Sequence, residues 1–480
     1  MTLPIGFTIR IGRGVRLLEA GRVLLGGSPT TVLALTDLAR AMLRDRMLVV
    51  TGEPSARLAR RLLDRGMADP VVAELPDLDA EVTVVIPVRD RPEQLDRLLD
   101  SVPAGLPVLV VDDASRRPER VAAVAARHGA ELLALPVNGG PAAARNAGLE
   151  RVATEFVAFV DSDIVLGGDA IRILLRHFAD PEAGLAVPRI GAVAGEGRDG
   201  WIARYEASRS SLDLGPEPAS IRPRSTVSWA PSACVVARVA AIADGFDEAM
   251  RVGEDVDLVW RLVDAGWRVR YEPAATAFHA HRVGFRAWLR RKFEYGTSAA
   301  TLAERHPEHI VPAVLAPWSA GLAAVLLAQR WWSLPAAVGI ASYAAHGISR
   351  KLPVRRPRLW GAVLAGQGAA NTLGQVSALL LRHWWPAAAI GSIVSRRIRR
   401  AVLVAALADT AVEYAKSGVR LDPVRFGVAR RLDDLAYGAG VWWSAIRARS
   451  FKALRPAITG GGSGKRAAHS SPSIPQDPER

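Results

Sequence analysis

Two carboxylates one residue apart, Asp161 and Asp163, close the apolar run Phe159-Val160-Asp161-Ser162-Asp163. Residues i and i+2 of an extended chain project from one face. A chain leaving a sheet edge after Val160 therefore aims both acids at one point. Such oxygens suit Mg2+ or Mn2+, hard cations that prefer carboxylate, water and phosphate oxygens. An Asp-x-Asp triplet is equally at home in a solvated turn, so its meaning depends on what the rest of the chain brings to the same edge.

The elements that must position these acids form a βα alternation running from about residue 80 to 305. Val82-Thr83-Val84-Val85-Ile86-Pro87-Val88 is the continuous β-branched run of a strand buried on both faces. Arg91-Pro92-Glu93 opens a helix with Leu95, Leu98 and Leu99 on one side. Pro107 to Val111 forms the next strand and stops at Asp112-Asp113-Ala114-Ser115. Open α/β sheets bind ligands at the carboxyl ends of their strands, and these two acids lie there. After a third strand, Glu131 to Leu135, comes the block Asn138 to Leu149. In it, Gly139 and Gly140 permit close backbone approach, Pro141 suits a first helical turn, and the helix start offers free N–H groups to an anion. GxGxxG is absent and the loop follows the third strand, so a dinucleotide fingerprint does not account for it.

Composition bounds the rest. The chain has 480 residues, one cysteine (Cys234) and a formal net charge of +14. A lone cysteine excludes an internal disulfide, fits a reducing compartment and reads as a small buried hydrophobe. Met1 to Arg16 lacks the apolar run of a signal peptide, so the bulk of the chain is expected on the cytoplasmic side. The arginine-rich charge fits nucleic acid, anionic lipid or phosphate-bearing ligands and does not choose among them.

Five pieces in order then carry a resemblance. They are Ile86-Pro87-Val88-Arg89, Val111 to Ser115, Asn138 to Gly148, Asp161-Ser162-Asp163, and Gly253-Glu254-Asp255-Val256-Asp257-Leu258-Val259-Trp260-Arg261-Leu262 preceded by Gly245-Phe246-Asp247-Glu248. Over residues 80–305 the chain resembles the family 2 glycosyltransferases, inverting enzymes of the α/β GT-A fold. The resemblance implies a UDP-sugar donor and a Mn2+ or Mg2+ cofactor. Asp113 would accept from the uracil N3–H, with Pro87 and Arg89 walling base and ribose and Gly140 at the phosphate-side turn. Arg145 would sit either at the diphosphate or in an internal ion pair. Asp161 would face the ribose or a metal water, and Asp163 would ligate the cation. Asp255 takes the general base's position, with Glu254 orienting the acceptor, and Asp257 reads as an exposed helix-start acid. His279 or His281 would complete the metal shell. Trp229 either stacks on an acceptor sugar or packs in the core. No QxxRW block follows Arg261, which argues against a long-polymer synthase.

Two flanking regions remain. Residues 1–75 read as strands Val15–Leu18 and Arg22–Gly27, a helix from Ser28-Pro29 through Leu43, and a second helix from Ser55 to Gly66. That order resembles the winged-helix-like peptide-recognition modules of the PqqD type, with a DNA-binding winged helix or a structural appendage as the alternatives, and Pro70 to Asp79 reads as a linker. Beyond residue 306, Val311–Ala328, Trp331–Ser349 and Leu359–Leu381 are apolar stretches that could approach a ~30 Å bilayer core. With the Arg350–Arg358 and Arg396–Arg400 clusters on one side, the expectation for residues 306–458 is a membrane-associated helical region whose stretches span the bilayer, with interfacial helices or a soluble packing domain as the alternatives, placing the protein at the cell membrane. Helices over Ala401–Lys416 and Leu432–Arg447 suit an anionic surface, and residues 459–480 read as a disordered tail. The whole arrangement resembles the glycosyltransferases of the actinobacterial mycofactocin system. This implies β-1,4 transfer of glucose from UDP-glucose to a peptide-derived redox cofactor, with no nucleic-acid partner. A membrane enzyme acting on a polyprenyl phosphate or envelope glycan is the alternative.

Overall fold

The computed structural model of the protein describes residues 2–78, 80–192, 200–279, 284–419 and 421–458. Asp79, His281 and the expected tail at 459–480 lie outside the described residues.

A nine-stranded mixed sheet forms the centre of the molecule. Its parallel half runs Phe156–Val160, Val82–Val88, Val108–Asp112 and Glu131–Ala134, in that spatial order. These strands are apolar end to end because helices cover both faces. Leu95, Leu98, Val121 and Leu174 pack on one side, while Ala142, Ala144, Phe246, Leu258 and Trp260 pack on the other. The helices Pro92–Ser101, Pro118–Arg127 and Pro141–Leu149 each begin on proline, whose missing N–H costs nothing in a first turn. Gly148 lies so close to Val85 that a Cβ would collide with it. Cys234 is buried in the antiparallel strand Cys234–Arg238 beside Phe156–Val160, and burial pushes its thiol up to about 12.

The other half of the sheet mixes parallel and antiparallel pairs. Ala183–Ala192 pairs antiparallel with Cys234–Arg238 and parallel with Arg268–His279. Ile164–Leu166 and Ala219–Ile221 both add antiparallel to Arg268–His279. Ile164–Leu166 sets His279 opposite Ile164, one residue beyond Asp163. The result is a GT-A-like α/β fold with a helical C-terminal region.

The first 75 residues contain more strand than expected. No helix starts at Ser28. Thr31–Ala34 instead pairs antiparallel with Val23–Gly26, which pairs with Arg16–Leu18. The β-branched Thr30-Thr31-Val32 run and the left-handed turn glycine Gly27 (φ 87°) outweigh the helical spacing. Only Asp37–Met42 is helical, and Thr36 caps it by accepting from the Ala39 N–H at 3.2 Å. A second sheet sets Thr8–Ile11 between Met47–Val49 and Ala68–Pro70. Helix Glu53–Asp64 buries Leu58, Leu62 and Leu63 as its spacing predicts. Arg222 donates to the Ser28 carbonyl at 3.0 Å, and Arg268 pairs with Asp64 and Asp180 at 2.8 Å each, tying this module to the large sheet.

Among the described residues no helix is long and apolar enough to cross a membrane, which overturns the spanning expectation. Within Val311–Ala328 the helix begins only at Pro317, and its 12 residues reach about 18 Å at ~1.5 Å each. Pro357–Ala378 is longer but carries Gln367, Asn371 and Gln375. The long helix Pro423–Arg447 is no surface helix over its second half. Asp433, Asp434, Gly438, Gly440, Val441 and Ala445 are buried. A Cβ on Gly440 would strike the Phe293 carbonyl, and one on Gly296 the Tyr437 carbonyl. Bare glycines on both sides thus let Pro423–Arg447 meet helix Phe285–Thr297 backbone to backbone.

Candidate active site

At the first strand end, Asp113 spends both carboxylate oxygens on the glycine turn, accepting from the Gly139 N–H at 2.7 Å and the Gly140 N–H at 2.9 Å. With its amide oriented to suit its neighbours, Asn138 donates to Asp113 at 2.7 Å and accepts from Arg89 at 3.0 Å. Gly140 has φ 90°, a backbone open to few side chains. Pro87 is buried and Arg89 exposed at the same edge. Asp112 accepts from the Ser115 N–H at 3.0 Å and fixes the strand-end turn. Asp113 therefore holds the loop in addition to whatever lone pairs it offers a base.

Beyond the next strand, Asp163 accepts from Arg91 at 2.5 Å and lies 3.3 Å from His279 Nε2. Burial alone would raise its pKa, but His279 and Arg91 outweigh it and hold the carboxyl at about 2. The donor set is thus an ionised carboxylate beside an imidazole nitrogen, chemistry that fits a divalent cation. Asp161 turns another way, accepting from Arg145 at 2.6 Å.

Arg145 makes internal ion pairs with two acids of the site. It is buried, donates to Asp161 and also to Glu254 Oε1 at 3.3 Å, and sits 5.2 Å from the Phe246 ring centroid. Burial would lower its pKa, yet Asp161 and Glu254 raise it, so the guanidinium stays charged. One cation therefore staples the Asp161 loop to the start of helix Glu254–Asp264. Asn146 on the same helix as Arg145 brackets Phe246 through its N–H and carbonyl, both at 2.8 Å.

Glu254 and Asp255 open helix Glu254–Asp264 after Gly253, whose φ is 87°. A Cβ there would come within 2.9 Å of Ser298. Burial and then the neighbouring Glu254 carboxylate push Asp255 up to about 7, the range of a general base at neutral pH. Burial likewise raises Glu254. Both acids line a cavity of about 1310 Å3 together with Arg145, Asp161, Trp229 and Trp260. Trp229 faces this cavity, half-buried, and belongs to none of the hydrophobic cores. Trp260 donates to the Ser228 carbonyl at 2.8 Å and so fixes the loop before it. Asp163, His279 and Asp113 do not line this cavity; Asp161 belongs to it and stands two residues from Asp163.

Asp257 is no exposed helix-start acid. It is fully buried and accepts from Arg261 and Arg305 at 2.8 Å and from His306 at 2.9 Å. The sequence also gave no sign of Arg91, or of the wall that helix Pro423–Arg447 supplies. Arg430, Asp433 and Tyr437 line the same cavity, and buried Lys292 joins Glu206 at 3.0 Å to Asp433 at 3.3 Å. The acidic pair Asp433-Asp434 inside an otherwise apolar and basic helix was the available signal.

The Glycosyl transferase family 2 profile matches residues 83–230, the parallel half of the sheet and the segment leading to Trp229. The pre-mycofactocin glycosyltransferase of Mycobacterium tuberculosis is 44% identical over 469 residues, covering 95% of this chain and 98% of that protein. The succinoglycan biosynthesis protein ExoO of Rhizobium meliloti is 30% identical over 230 residues, covering 45% of this chain and 64% of its own. Among solved structures, the mannosyltransferase PcManGT of Pyrobaculum calidifontis, determined with GDP-Man and Mn2+, is 21% identical with a TM-score of 0.37, covering 70% of this chain and 89% of that one. With the Mycobacterium tuberculosis likeness extending through the N-terminal module, the sheet and the C-terminal helices alike, the chain belongs to the pre-mycofactocin glycosyltransferases, within the family 2 glycosyltransferases.

Proposed function

We propose that the protein transfers glucose from UDP-glucose, with inversion and in β-1,4 linkage, onto the peptide-derived redox cofactor mycofactocin or its precursor. The observation that carries the reading is Asp255, a half-buried carboxylate with its pKa at about 7, in a cavity that shares Asp161 with the strand edge. In this mechanism an acceptor hydroxyl attacks the anomeric carbon on the face away from the diphosphate. The new C–O bond forms as the bond to the diphosphate oxygen breaks, the electron pair leaves with UDP, and the hydroxyl proton passes to Asp255. Glu254, held by Arg145, orients the acceptor, and Trp229 offers its ring to an acceptor sugar. On the donor side Asp113, Pro87, Arg89 and the Gly140 turn take the nucleoside, and Asp161 the ribose side. Asp163 and His279 are the residues that would hold Mn2+ or Mg2+. When bound, the cation supplies Lewis-acid neutralisation of charge on the diphosphate. The N-terminal module, with its short strands, is assigned the peptide-derived portion of the acceptor.

The test is product mass after incubating the full chain with Mn2+, the cofactor precursor, and UDP-glucose, UDP-galactose or GDP-mannose in parallel. Stepwise hexose additions from UDP-glucose are expected. Transfer only into an added polyprenyl-phosphate pool, or only from another donor, overturns the reading.

We further assign the protein to the cytoplasmic face of the cell membrane. Ile390, Ile393, Val394, Leu403, Val404 and Leu407 are exposed around Arg396, Arg397, Arg399 and Arg400, a mixture that supports binding to an anionic lipid surface. Co-sedimentation with vesicles containing phosphatidylglycerol should therefore exceed that with neutral vesicles and fall with salt. Equal recovery from both would rule the assignment out.

A further inference from the structure

The far end of helix Glu254–Asp264 carries a second group of ligating side chains. Its last residue, Asp264, meets His306 and His309, which follow helix Ala299–Arg305 in the run His306-Pro307-Glu308-His309. The carboxylate and one ring nitrogen from each histidine all lie within 4.8 Å of one another. His309 Nε2 is 2.9 and 3.0 Å from the two Asp264 oxygens, and His306 Nδ1 is 3.9 Å from Oδ2.

The tautomer of His306 is what gives this group its meaning. Its Nε2 lies 2.9 Å from Asp257, a fully buried carboxylate already paired with Arg261 and Arg305. An ionised carboxylate only accepts, so His306 Nε2 carries the proton, and in the neutral ring Nδ1 presents a lone pair toward Asp264 and His309. A cation placed among these groups would take up that lone pair together with the Asp264 carboxylate. Carboxylate, histidine and metal in that sequence is the usual way a protein orients a metal-binding imidazole. The histidine rings lie 16° from parallel with centroids 5.8 Å apart, and Trp260 sets its ring edgewise against both, at 5.3 and 5.5 Å. Both imidazoles are thereby walled on one side, while Asp264 remains half-exposed, leaving a face open to water.

We propose that Asp264, His306 and His309 form a Zn2+ site, with water in the fourth position, that clamps the end of the helix bearing Asp255 to the turn entering the C-terminal helices. Two imidazoles and one carboxylate are a donor set for Zn2+, whose bonds to nitrogen and oxygen are about 2.0–2.2 Å. A tetrahedron of that size has edges near ~3.4 Å, between the observed 2.9 and 3.9 Å. The helix C-terminus adds a favourable dipole for a cation. The site is separate from Asp163 and His279 and does not depend on the donor or acceptor assigned above. His309 lines the same cavity as Asp255, which lies at the other end of the helix.

The experiment uses the full chain without an affinity tag, stripped with a chelator, reloaded with Zn2+ or Co2+ and desalted. About one Zn2+ per chain by mass spectrometry is expected, with a visible tetrahedral Co2+ band and a thermal midpoint that rises on Zn2+ addition. His309→Ala and Asp264→Asn, both at partly exposed positions, should lose the retained metal, the band and the Zn2+-dependent rise, while Asp163→Ala keeps all three. A wild-type chain that retains no Zn2+, or an H309A chain that retains as much as wild type, overturns the proposal. So does loss of the metal in D163A alone.

Discussion

Asp255→Asn should lower sugar transfer by about 10³-fold, within the ~10²–10⁴ range of a general base, while leaving UDP-sugar affinity unchanged. The amide keeps the shape of the side chain and removes its basicity. The pH profile supplies the independent arm. A carboxyl raised to about 7 is protonated, and inert as a base, below that value. Transfer by the wild-type chain should therefore climb as pH rises through 7 and level off above it, and the residual activity of the variant should lose that limb. The sign on stability is opposite. Because the native pKa lies above its unfolded value, the native state is favoured while the proton is on, and that advantage is lost as pH rises through about 7. The amide escapes this penalty, so Asp255→Asn at pH 8 should melt no lower than the wild type. A variant that lost activity by unfolding would melt lower, and the idea would fail there.

Arg145→Met should produce the largest loss of stability. It keeps much of the apolar stem and removes the charge that faces both Asp161 and Glu254. Breaking a buried pair by deleting one partner costs about 3–5 kcal/mol, readable as a lower urea midpoint at constant slope. The deficit should also grow with pH. Glu254 already titrates above the ordinary carboxyl range because of burial, and Arg145 is what opposes that shift. Without the guanidinium, ionising Glu254 becomes costlier still, so the variant should lose least at low pH and most above neutrality. A pH-independent deficit would show that the staple contributes through packing alone.

The positions of the candidate site residues were legible in the sequence where they end strands or open helices in a parallel βα pattern. Asp113, Gly140, Asp161, Glu254 and Asp255 occupy such positions, and the pattern is local. What the sequence withheld are consequences of pairing at a distance. The fate of Arg145 as an ion-pair bridge depends on Glu254, 109 residues on, and that of Asp257 on Arg305 and His306. The strands Ala183–Ala192 and Ala219–Ile221 are stabilised by neighbours rather than by their own composition. Thr31–Ala34 shows the reverse error: its apolar spacing admits a helix, and the adjoining hairpin decides for a strand. The C-terminal stretches misled because hydrophobicity reports that a face is covered without saying by what, and for Pro423–Arg447 the covering surface is helix Phe285–Thr297.

That last contact fixes when in its life the molecule becomes competent. Tyr205 reaches Asp433 across 228 residues of sequence, and Lys292 closes the same circuit. A ribosome that has delivered every residue of the family signature is still more than a hundred residues short of the wall that seals the chamber. Until that wall arrives, Lys292 and Glu206 must remain hydrated and the glycine seam at Gly296 open to water. Synthesis itself thus withholds the finished chamber until helix Pro423–Arg447 has emerged.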